Sequence, residues 1–161
     1  MTHRSDFTAE QWQALRNAPQ LVALATAAAG NSGLFGSITE GMAMASAMAE
    51  TVRGEDSLLK ELFTKDDIRA AQDDIRGLIK GAADKSALNT KLQDAAASSV
   101  TAALAALTAH GADAAGYRRL LGGIAEKIAN ASSEGGFLGF GGERVSEGER
   151  LFLDRLKGLV A

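Results

Sequence analysis

The chain has 161 residues, enough for one domain with a substantial core and short for two. Hydrophobic residues make up 46% and charged residues 23%, a globular rather than disordered composition, and the net charge of −3 comes with no basic block, which excludes the electrostatic footprint of a nucleic-acid binder. The absence of cysteine excludes a disulfide framework, a thiolate metal site and a thiol nucleophile, and it fits a reducing cytoplasm.

Residues 1–7 lack the basic-then-apolar pattern of a secretion signal. No apolar run approaches the roughly 20 residues needed to cross a bilayer. The expectation is a cytoplasmic protein. Alanine, the strongest helix former, dominates the apolar fraction, aromatics are 5%, and there is a single proline, so the fold class expected is all-α.

Residues 1–6 are polar and expected to fray. Thr8 and Gln11 form a capping box that opens the first helix, with Phe7 placed as a hydrophobic staple and Trp12 and Leu15 as its apolar face. Pro19 is expected to end this segment at Ala18 and to start a second helix, 19–29, stopped by Gly30. After the loop 30–36, a second capping box of Ser37 and Glu40 opens a helix with Ile38, Met42, Ala45 and Met48 at helical spacing, closed by Gly54. Met42, Met44 and Met48 read as core filling rather than an adaptable groove.

A short helix carries Leu58, Leu59, Leu62 and Phe63. Another starts at Thr64 and bears Ile68, Ala71, Ile75, Leu78, Ile79 and Ala82 on one stripe, with a soft break at 83–85. The longest helix, 86–109, is marked by Leu88, Leu92, Ala96, Val100, Leu104 and Leu107 and ends at Gly111. Asp113 caps the next, with Tyr117, Leu120, Leu121, Ile124 and Ile128. Beyond the glycine-rich loop 135–142, Ser146 and Glu149 form a third capping box, and the last helix carries Phe152, Leu153, Leu156, Leu159 and Val160. Seven or eight helices with short connections make a single-domain bundle over 1–161. An alanine-rich helix, a Gly/Phe loop and a capped helix occur twice, at 25–40 and 129–149. The pattern is either two hairpins about a pseudo-twofold or a by-product of Ala/Gly-rich composition.

No catalytic or metal constellation follows from these residues. The loop Gly135-Gly136-Phe137-Leu138-Gly139-Phe140-Gly141-Gly142 could offer backbone amides to an anion, but Glu143-Arg144 stands where a phosphate loop needs Lys and Ser/Thr. The side chains of Leu34, Phe35, Phe137, Leu138 and Phe140 are expected to plug the bundle rather than enter lipid. His3 and His110 lack the Glu-x-x-His spacing of a bundle di-metal site, and His110 beside Gly111 reads as a helix C-terminal residue. The pairs Asp66-Asp67 and Asp73-Asp74 flank an apolar stripe and are expected to face solvent. No cofactor is expected.

Tyr117-Arg118, Ile124-Ala125-Glu126-Lys127-Ile128-Ala129, the loop 135–142 and Val145-Ser146 ahead of Glu149, together with Phe7 through Pro19, resemble a family of small bacterial helical proteins. That resemblance implies an all-helical fold and carries no assigned activity. More distantly, two hairpins each ending in a hydroxyl residue and a Glu are similar to the tellurite-resistance protein B-like helical fold, which implies metal binding near the turns with Glu40 and Glu149 in matching places. Where that group has an aspartate-glycine pair ahead of the Glu, this chain has Gly30-Asn31 and Ser133-Glu134.

The function expected is a non-enzymatic helical interaction or stress-associated protein acting through a protein partner or self-association. The alternatives are an acidic metal- or small-ligand-binding module centred on the two Gly/Phe loops with Glu40 and Glu149, and peripheral membrane contact, the least expected of the three.

Overall fold

Ten consecutive residues of the first helix, 17–26, are buried, so that helix is the axis around which the others pack. The computed structural model describes residues 2–29, 57–112, 114–134 and 147–161. Among these, all regular structure is helical: a 3-10 turn (Arg4–Asp6) followed by α1 (Ala9–Ala29), α2 (Ser57–Leu62), α3 (Lys65–Ile79), α4 (Lys85–Ala109), α5 (Ala114–Glu134) and α6 (Glu147–Val160). The all-α class stands. Six α-helices take the place of the expected seven or eight among the described residues. The helix expected over 37–54 and both Gly/Phe loops, on which the pseudo-twofold rests, lie outside them.

α1 opens as its capping box dictates. The Thr8 hydroxyl accepts the Gln11 amide at 3.2 Å, and the Gln11 side chain accepts the Thr8 amide at 2.9 Å. Phe7 is buried with its ring tilted against that of Trp12, centroids 6.0 Å apart, the staple that fixes how the chain enters the helix.

Pro19 does not divide this helix. One α-helix runs through it from Ala9 to Ala29, in place of the two expected. Proline cannot donate to the carbonyl four residues earlier, that of Leu15, and an orphaned buried carbonyl ordinarily ends the segment. Here the Tyr117 hydroxyl of α5 donates to Leu15 O at 2.7 Å and takes the missing amide's place.

A helix buried along most of its length belongs in a core, and α1 contacts α3, α4, α5 and α6. Its Leu15, Ala18 and Val22 pack with Leu62, Val100, Leu107, Tyr117, Leu121 and Ile124. Its opposite side, Leu21, Leu24, Ala25 and Ala28, packs with Ile75, Leu92, Ala96 and Phe152. The stripes expected for α3 to α6 supply these contacts. Ala82 falls beyond α3, which ends at Ile79 because Gly81 takes a φ of +104° in the following turn.

α4 starts at Asp84, whose carboxylate accepts the Ala87 amide at 2.8 Å. It ends at His110, as expected of that residue. Gly111 adopts φ +62°, its amide bonds Thr108 O at 3.1 Å and the Ala112 amide bonds Leu107 O at 3.0 Å, a Schellman motif that turns the chain toward α5.

Candidate functional site

The most organised polar region is a seam between α1 and α3. Asp67 and Asp74 are seven residues apart, two helical turns, and so share a face with Ala71 and Ile75. That face is turned toward α1. The expectation that both aspartates point to solvent is therefore corrected, whereas Asp73, paired with Arg76 at 3.2 Å, is exposed.

Asp67 is 2% exposed and accepts three side-chain hydrogen bonds. Its Oδ1 accepts the Trp12 indole N–H at 2.9 Å, and its Oδ2 accepts the Arg4 guanidinium at 3.1 Å and the Thr64 hydroxyl at 2.7 Å. Arg16 adds charge 4.0 Å from Oδ1. The Thr64 oxygen also caps α3 by accepting the Asp67 amide at 3.2 Å, so one threonine both starts the helix and positions the carboxylate. Two turns on, Asp74 Oδ2 accepts Gln13 at 2.9 Å, Arg16 at 2.9 Å and Asn17 at 3.0 Å. Burial raises the pKa of Asp74, but these three donors and the Arg16 charge outweigh it and hold the carboxyl below its usual range.

The segment expected to fray docks on this seam. His3 Nδ1 lies 2.9 Å from Glu61 Oε1, the Arg4 amide donates to Glu61 Oε2 at 2.7 Å, and the Arg4 guanidinium sits 5.3 Å from the centre of the Trp12 ring. The His3 hydrogen bond and the Arg4 amide hold the Glu61 carboxyl below its usual value. On the far side of Phe7, His110 meets its ring edge-on at 4.8 Å, with Nε2 3.3 Å from Gln11 Oε1. His110 thus packs against the start of α1, whereas His3 ties the N-terminal turn to Glu61 of α2.

Leu34, Phe35, Glu40, Phe137, Leu138 and Phe140 lie outside the described residues, as do the three methionines; Glu149 falls within α6 with its side chain outside them. Among the described residues no group of three or more histidine, aspartate or glutamate side chains is placed to hold a metal ion, and no helix is long and apolar enough to cross a membrane. No family model matches the chain, and neither does a curated protein or a solved structure.

What the seam can do follows from its occupancy. Each carboxylate receives three hydrogen bonds: Asp67 from the Arg4 turn, from α1 and from the Thr64 cap of its own helix, and Asp74 from three α1 side chains on its Oδ2. These bonds pin α3 and the Arg4 turn to α1. The sequence carried the signal in the seven-residue spacing of the aspartates and in Gln13, Arg16, Asn17 and Gln20, polar residues on one side of an otherwise apolar helix.

Proposed function

We propose that this chain is a non-enzymatic helical interaction protein that works through a protein partner or through self-association. The observation supporting this reading is the solvent face of α4. Ser98, Thr101, Ala102, Ala105, Thr108 and Ala109 are all exposed and all small, and α4 carries no charged residue between Asp94 and His110. A solvated helix face ordinarily carries charge.

The threonine hydroxyls on this face are already satisfied. Thr101 donates to Ala97 O at 2.8 Å and Thr108 to Leu104 O at 2.9 Å. A second helix laid along α4 would meet small side chains, with no charge to strip of water and no threonine hydroxyl to re-pair.

Ala105→Arg tests the reading. Both residues favour helix and position 105 is exposed, so the fold should be retained. Light scattering over a range of concentrations, with crosslinking and partner capture, should show assembly in the wild type and its loss in the variant. A wild type that stays monomeric and captures no partner, or a variant that assembles equally well, refutes it.

A further inference from the structure

We infer that residues 3–7 form a releasable strap over Trp12, clipped to Glu61 and Asp67 and opened by acid or by salt while the helical bundle stays folded. The strap has little apolar hold on the protein. No residue of the Arg4–Asp6 turn is buried, and Phe7 is its one side chain in the core. Apart from the Arg4 guanidinium over the Trp12 ring, the rest of its attachment is polar and runs to two carboxylates on α2 and α3: Glu61 takes the His3 ring and the Arg4 amide, and Asp67 takes the Arg4 guanidinium. Segments with few apolar contacts and many surface hydrogen bonds open before the global transition.

The charged and titratable groups around the clip set the direction of its response. His3, Arg4 and Asp6 face Glu61; Arg4 and Arg16 face Asp67, with Trp12 and Thr64 as neutral donors; His110 faces Phe7. The Glu61 carboxylate is favoured by its strap contacts, so those contacts are lost as acid protonates it. Arg4 is 57% exposed, and its attraction to Asp67 is open to screening by salt.

Trp12 is the chain's one tryptophan, it is 3% exposed, and Arg4 and Phe7 lie against its ring. Its emission therefore reports on the strap while far-ultraviolet circular dichroism reports on the helices. In wild-type protein titrated from neutral pH into acid, and separately with sodium chloride at neutral pH, the emission should move to longer wavelength before helical signal is lost. Glu61→Gln should show the shifted emission at neutral pH with wild-type helicity. Emission and helicity changing together in both wild-type titrations, or a Glu61→Gln emission equal to wild type, overturns the inference. Should Glu61→Gln fail to fold, the two wild-type titrations decide.

Discussion

The Tyr117 hydroxyl of α5 donates at 2.7 Å to the Leu15 carbonyl of α1, the acceptor that Pro19, four residues further on, cannot serve. The two residues lie 102 apart in sequence, and the bond is buried. Burial also pushes the Tyr117 phenol above its ordinary pKa, so it remains a donor across the working pH range. The proline and the tyrosine thus form one structural unit.

That unit predicts a non-additive mutant pair. Tyr117→Phe leaves the Leu15 carbonyl buried and unpaired and should cost about 1–3 kcal/mol in chemical denaturation. Pro19→Ala restores an amide at position 19, so the same tyrosine change should cost clearly less in that background. The double-mutant cycle then yields a coupling energy of at least about 0.5 kcal/mol. Additive effects would mean that the hydroxyl and the proline act independently.

This relationship also marks where sequence reasoning succeeds and where it stops. The Thr8–Gln11 box, the Phe7–Trp12 staple, the stop at Gly111 and the stripes of α3 to α6 depend on residues within a few positions of one another, and all were legible. Pro19 reads as a helix stop because its local clash is real and its remedy, the Tyr117 hydroxyl, lies on another helix. Asp67 and Asp74 read as solvent-facing because they carry charge, although their spacing puts them on the stripe that faces α1. The strap at 3–7 has no apolar periodicity to announce it, and its anchors, Glu61 and Asp67, lie more than fifty residues downstream.

The seam should give the protein a measurable acid limit. Asp74 has a folded pKa below its usual value, so its contribution to stability is complete above that usual value and is lost as pH falls through the lowered one. Asp74→Asn removes the titration while keeping the shape. Denaturation midpoints of wild type and Asp74→Asn should therefore differ at neutral pH, wild type being the more stable, and converge in acid. A gap that is constant with pH would show that the Asp74 charge contributes nothing to holding α3 against α1.

One buried oxygen on α1 has no bond to replace its lost water. Gln20 is 1% exposed and its Oε1 has no hydrogen-bond partner among the described residues, so folding strips an amide oxygen of water and returns nothing. Methionine matches glutamine in length and packs in irregular spaces, so Gln20→Met should raise stability by about 1 kcal/mol. Asn17, one turn earlier, gives the contrast. Its Oδ1 is also unpartnered, but its Nδ2 donates to Asp74 at 3.0 Å, so Asn17→Leu strips a donor from a charged acceptor and should destabilise. Opposite signs for these two changes, read from denaturant midpoints at one pH, would separate a polar group that pins the seam from one that merely occupies it. A destabilising Gln20→Met would instead mean that the buried amide carries an interaction worth more than its desolvation, and position 20 would become the first place on α1 to look for function.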